Sequence, residues 1–157
     1  MHEFHAFIQH LRDPAYIHIL LNPLPLYGMV AGLFLLVLER IVHPSDFPKA
    51  ALVWIIFVAI ETGLTVYFGQ KGMDVIFQMA DNKGSRWLLR HQQRALWSMY
   101  VFYATGLSAF IALIAHHRKH PLATRLILPT GILAFISILA AIWISHAGGQ
   151  VIHAEFR

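Results

Sequence analysis

Charged residues divide this chain into long apolar runs. No Asp, Glu, Lys or Arg lies between Asp13 and Glu39, and only Glu61 interrupts the run from Lys49 to Lys71. Two further uncharged runs extend from Arg94 to Arg118 and from Arg125 to Glu155. A helix needs about 20 apolar residues to cross the hydrocarbon core of a bilayer. The pattern therefore predicts four transmembrane helices, near 22–43, 48–69, 94–116 and 125–147. In lipid every backbone N–H and C=O must find a partner within the protein, so helices are the spanning form expected here.

Two further segments have an amphipathic pattern. In MHEFHAFIQHLRD, Phe4, Phe7, Ile8 and Leu11 recur at i, i+3, i+4 and i+7, while His2, His5, Gln9 and Arg12 fall off that stripe. Such a helix would lie on a membrane surface. It is not a secretory signal, because it has neither a basic start nor a continuous apolar core. Residues 70–94 carry a short stripe of Met73, Ile76 and Met79 or Ala80, with Gly84 expected to break it. The predicted fold is all-α. A four-helix membrane bundle forms one domain over residues 1–157, with an N-terminal interfacial helix and a partly helical loop between the second and third spans.

Composition agrees with this picture. Only 13% of the residues are charged and 57% are hydrophobic, whereas about a quarter of an ordinary soluble domain is charged. With no cysteine, disulfides, iron–sulfur ligation, thiolate haem ligation and covalent c-type haem attachment are all excluded. The net charge of +4 is spread over the span flanks rather than one face, so nucleic acid is not an expected partner and membrane lipid is. Four spans place both termini and residues 70–94 on one side. Seven lysines and arginines lie there (Arg12, Lys71, Lys83, Arg86, Arg90, Arg94, Arg157) against five opposite (Arg40, Lys49, Arg118, Lys119, Arg125). By the positive-inside rule that side is expected to be cytoplasmic.

The eleven histidines sort by face. His43, His116, His117 and His120 lie opposite the termini, where HHRKH reads as a polar flank. His18, His91, His146 and His153 lie on the terminal side, at three different span ends. Converging imidazoles there suit haem iron, copper, zinc or non-haem iron. The closing stretch, ISHAGGQVIHAEFR, sets His146 and His153 seven residues apart around Gly148 and Gly149. Adjacent glycines let a helix or a planar group approach the backbone, and let the helix end or bend. If the helix continues instead, a spacing of seven returns both histidines to one face, expected to point into the bundle. Ser137, Ala141, Ser145 and Gly149 form a small-residue stripe read as helix packing, as do Gly28 and Gly32. On the third span, Ser98 and Thr105 continue a polar stripe below His91, beside Ala95, Phe102 and Ala109. Glu61 stands near mid-membrane. An acid there costs several kcal/mol unless protonated, paired or hydrated, so it is either a hydrogen-bonded structural group or part of a proton path.

Across residues 15–156 the chain resembles a bacterial membrane family known as domain of unknown function 2231. Members open with Ile-His-Pro, then His-Phe-Pro or His-Leu-Pro. IHILLNPLPLYG matches at His18 and Pro25, with Ile19 and Pro23 replacing the first proline and second histidine. Thr62-Gly63 matches a Thr-Gly of the second helix, and His91 a histidine opening the third. His146, Gly148, Gly149, His153 and Glu155 match the closing Gly-His-x-Gly-Gly-x-x-x-His-Gly-Glu. Fusions of some members to Rieske or c-type cytochrome domains imply a respiratory or electron-transfer setting, with other membrane or cytochrome subunits as partners.

Three functions follow as expectations. The first is an electron-transfer subunit with one haem b. His91 and His146 would be its main ligands, His18 and His153 alternatives or their supports, Gly148 and Gly149 room for the macrocycle, and Arg90 or Arg94 a propionate partner. The others are a cofactor-free anchoring subunit and a copper-handling or other metal protein. No span carries two histidines 13–14 residues apart, as stacked two-haem cytochromes do, and no phosphate loop, nucleophile–base motif or metalloprotease motif points to a stand-alone enzyme.

Overall fold

The structure is a computed structural model that describes residues 2–156. Its α-helices are α1 (His2–His10), α2 (Pro14–Leu21), α3 (Leu24–Val42), α4 (Lys49–Met79), α5 (Asn82–His117), α6 (Leu122–Arg125) and α7 (Ile127–Ile152), and no strand occurs among the described residues. Four stretches are long and apolar enough to cross a membrane: Pro14–Val42, Lys49–Met79, Asn82–His117 and Leu122–Ile152. Helices α3, α4, α5 and α7 close into a ring in which each packs on two neighbours, and α2 lies against α4. The core between them holds Met29, Leu36, Leu52, Ile55, Val58, Phe102, Ala109, Ala134 and Ala141.

Local chemistry places the helix ends. Asp13 caps α2 by accepting from the Ala15 N–H at 2.8 Å, and Pro14 takes the first helical position, where its missing N–H costs nothing. Pro23 and Pro25 supply no N–H to the carbonyls before them, so the path breaks between α2 and α3 without reversing. At the end of α5, Lys119 adopts φ 53°, its N–H reaches the His116 carbonyl and the His120 N–H reaches that of Ala115. That pair of bonds is a Schellman closure, with lysine where glycine is usual.

The expected helices are present with different bounds. The first apolar stretch starts at Pro14 rather than 22, so His18 is within a helix instead of before one. Residues 70–94 form no loop. Helices α4 and α5 run through them, turn at Ala80–Asp81, and reach 31 and 36 residues, about 46 and 54 Å at 1.5 Å per residue. The break is not at Gly84, because Asp81 is the N-cap and accepts from the Gly84 N–H at 2.6 Å, drawing that glycine into the first turn of α5. Helix α7 continues through Gly148 and Gly149 to Ile152. Phe4, Phe7 and Ile8 of α1, and Leu11 just beyond it, are exposed.

Small residues set the helix spacing. A Cβ on Gly28 would lie 2.8 Å from Val58, one on Gly32 2.9 Å from Ile55, and one on Gly106 2.5 Å from Ala59. The Gly-x-x-x-Gly of α3 is therefore a packing surface for α4, tied further by the Trp54 indole N–H donating to the Gly28 carbonyl at 2.8 Å. Gly72 meets the backbone of Ala15, which lets α2 approach α4 closely enough to bring His18 inward. Between α5 and α7 run two hydroxyl pairs, Thr105–Ser137 at 2.9 Å and Ser108–Thr130 at 2.7 Å.

Candidate functional site

Five helices, α2, α3, α4, α5 and α7, line a cavity of about 220 Å³ on the side of the termini. Its walls are largely apolar, including Leu26, Met73, Leu88, Phe102, Ala141 and Ile144. Two imidazoles enter it, His18 from α2 and His91 from α5. Their ring centroids are 6.3 Å apart and their planes cross at 76°.

Both rings are held in the same way. The His18 Nδ1 is 2.9 Å from the Thr65 carbonyl on α4, and the His91 Nδ1 is 3.0 Å from the Ile144 carbonyl on α7. A carbonyl oxygen only accepts, so each Nδ1 carries the proton that it donates. In a neutral imidazole the remaining lone pair is then on Nε2, and neither Nε2 has a hydrogen-bond partner among the described residues. Each ring also lies on a glycine. A Cβ on Gly69 would come within 2.8 Å of the His18 ring, and one on Gly148 within 3.1 Å of the His91 Nδ1. Two histidines are thus oriented by two carbonyls and accommodated by two glycines, all four supports coming from α4 and α7.

One turn before Thr65 on α4, Glu61 is 4% exposed. Its Oε1 accepts from the Thr65 hydroxyl, and its Oε2 has no hydrogen-bond partner among the described residues. Thr65 therefore touches both groups: its hydroxyl serves Glu61 and its backbone carbonyl serves His18. Glu61 faces into the protein, as expected for an acid at that depth, and does not itself line the cavity.

The four terminal-side histidines divide two and two. His146 is exposed, with its ring edge-on to Trp87 at 5.9 Å. His153 is exposed too and pairs with Glu155 at 2.8 Å. The pair that shares the cavity is His18 with His91, not His91 with His146. Because α7 stays helical through the two glycines, the seven-residue spacing does keep His146 and His153 on one face, but that face turns away from the cavity that Ile144, Gly148 and Val151 line. Gly148 has the close-approach role expected of it, toward an imidazole, whereas Gly149 has no atom within 4 Å of its would-be Cβ. Arg90 and Arg94 do not line the cavity either; they stack on the outer faces of Trp87 and Trp143. Among the described residues no group of three or more His, Asp or Glu side chains converges to hold a metal ion.

Thr65, Gly69 and the Ile144 carbonyl were not singled out in the sequence. The two glycines at 69 and 72 were a usable signal that another helix approaches α4 closely there, and the structure shows it to be α2, which carries His18. A main-chain acceptor such as Ile144 leaves no mark in sequence.

No protein family, curated protein or solved structure matches this chain.

Proposed function

We propose that this chain is an integral membrane electron-transfer protein that holds one b-type haem between His18 and His91. The observation that carries the proposal is the pair of imidazoles itself. Both rings enter one apolar cavity, both have Nδ1 engaged by a backbone carbonyl, and both keep Nε2 available. Metal-ligating histidines are usually fixed through their other nitrogen in this way.

The donor set fits a haem. Two imidazoles that held one transition-metal ion, each at about 2.0–2.1 Å from its nitrogen, would have ring centroids no more than roughly 6.3 Å apart. The separation here is 6.3 Å. A bare zinc or copper(II) ion takes further ligands beyond two histidines, whereas copper(I) does not. A macrocycle that brings its own four nitrogens would be held by these two imidazoles alone, which supports haem over zinc or copper(II).

Bound there, haem supplies reversible one-electron chemistry. The protein's contribution is placement and shielding. Helices α4 and α7 hold each imidazole through a carbonyl, and the aliphatic and aromatic walls would lower the polarity around a haem held by the two rings; both would tune its potential. An electron carrier at one end of the bundle exchanges with a partner on that side of the membrane, so a plasma-membrane location beside a membrane or cytochrome subunit follows from the same reading.

The test is a reduced-minus-oxidised absorption spectrum of protein extracted gently from membranes, for wild type and for single His→Ala variants at 18, 91, 146 and 153. Loss of the haem signal in His18→Ala and His91→Ala, with the signal kept in His146→Ala and His153→Ala, is the expected result. Loss in His146→Ala with retention in His18→Ala would overturn the assignment. A wild type without haem, purified with its native partners, would overturn the haem reading. Metal analysis of that material would then separate a copper site from a cofactor-free anchoring subunit.

A further inference from the structure

On the outer face of α5 and α7, beside the cavity but not part of it, five side chains form a cationic cluster. Trp87, Arg90 and Arg94 project from α5, Trp143 and His146 from α7. The Arg90 guanidinium carbon lies 4.7 Å from the centre of the Trp87 ring, and that of Arg94 lies 4.4 Å from Trp143 and 5.9 Å from Trp87. His146 adds its edge-on contact with Trp87. The Arg94 Nη1 donates to the Trp143 carbonyl at 2.8 Å, which leaves most of the guanidinium donors of the pair free.

The charges in this cluster are not balanced. Arg90 and Arg94 stand at i and i+4, where like charges repel, and neither has a carboxylate partner among the described residues. They also mark the edge of an apolar zone. After Arg94 no charged residue follows on α5 until Arg118, and the neighbouring outer residues Trp97, Tyr100, Leu139 and Ile142 are exposed. Two cations with free donors, framed by indoles at the boundary between a polar helix end and an exposed apolar face, match an anion that carries acyl chains.

We infer that Arg90 and Arg94, framed by Trp87 and Trp143, bind the phosphate of an anionic phospholipid. The guanidinium forks take the phosphate oxygens, His146 lies within the same polar rim, and the acyl chains cover the apolar α5–α7 face below. Trp87 and Trp143 fix both guanidiniums through their ring faces, so little side-chain freedom is lost on binding. The site is cytoplasmic if the basic side is. The inference rests on the membrane reading and is independent of the haem.

The full-length protein in a neutral detergent is titrated with phosphatidylglycerol, with phosphatidylcholine and with inorganic phosphate, and retained lipid is read by native mass spectrometry. A basic residue near an anionic surface gives roughly a fivefold preference, so two give about a thirtyfold preference for phosphatidylglycerol over phosphatidylcholine. Arg90→Gln/Arg94→Gln brings that preference close to unity, while Arg118→Gln/Lys119→Gln at the opposite end leaves it intact. Circular dichroism checks that each variant is folded, and Arg90→Lys/Arg94→Lys, keeping charge without the fork, retains part of the preference should the glutamine pair fail to fold. Equal retention of the two lipids by wild type, an undiminished preference in the folded glutamine variant, or none left in a folded lysine variant overturns the site. Displacement of bound phosphatidylglycerol by millimolar inorganic phosphate overturns the lipid assignment in favour of a soluble anion. A chain recovered from cells without detergent would instead overturn the membrane reading.

Discussion

Three glycine-to-alanine substitutions test the geometry of the two-histidine site. At Gly69 the new methyl would lie 2.8 Å from both Nδ1 and Cε1 of His18, closer than carbon and nitrogen can approach. The ring must move, and it is tied to Thr65 by a 2.9 Å bond. Overpacking of this kind costs roughly 1–3 kcal/mol. Against it stands the gain of replacing glycine inside a helix, about 1 kcal/mol. Gly69→Ala should therefore lose up to about 2 kcal/mol and, by displacing the His18 ring, weaken cofactor retention. At Gly148 the nearest atom is the His91 Nδ1 at 3.1 Å, a contact relieved by a shift of a few tenths of an ångström, so the two terms nearly cancel. At Gly149 nothing lies within 4 Å, and the helix term of up to about 1 kcal/mol acts alone. The expected order of stability is Gly149→Ala, then Gly148→Ala, then Gly69→Ala. Thermal unfolding in detergent, followed by near-UV circular dichroism, reads the order, and absorption spectra read the effect on the site. If Gly149→Ala is as damaging as Gly69→Ala, or if Gly69→Ala is neutral with its spectrum unchanged, α2 does not pack on α4 as described.

Three other outcomes are expected. Thr65→Val removes the only donor to the buried Glu61 carboxyl among the described residues and should cost about 1–3 kcal/mol, while Thr65→Ser costs much less; in a Glu61→Leu background the valine penalty should largely vanish, and an equal penalty in both backgrounds would refute the pairing. Ser137→Ala breaks the bond to Thr105 between α5 and α7 and should cost roughly 0.6 kcal/mol by denaturant unfolding, since Thr105 keeps its bond to the Val101 carbonyl; a cost above about 2 kcal/mol would mean another partner at Ser137. Single cysteines at the exposed Lys83 and Pro121, introduced into a chain that has none, should react with an impermeant thiol reagent from opposite sides of a sealed membrane, and equal labelling of both would remove the four-span topology.

The placement of helices along the chain was legible in the sequence because it depends on local quantities. Charge-free runs of the right length located four apolar helices, and the proline and aspartate positions explain where their ends fall. The depth of the site was legible too, since His18, His91 and His146 all stand near span ends on one side. One boundary was misjudged because a capping side chain outweighs a glycine's preference, so Asp81 rather than Gly84 sets the turn. At Gly148 and Gly149 the sequence allowed either a break or a continuous helix, and α7 continues to Ile152.

What only the tertiary structure decided is azimuth, the direction in which each histidine points around its helix axis. A helix advances about 100° per residue, so His146, two positions from the Ile144 that faces the cavity, points about 200° away from it. His18 gained its place from α2, which approaches α4 only because Gly69 and Gly72 have no side chains. Sequence can set the level at which an imidazole lies, because level is counted in residues. Which two imidazoles meet depends on how helices far apart in the chain pack against one another.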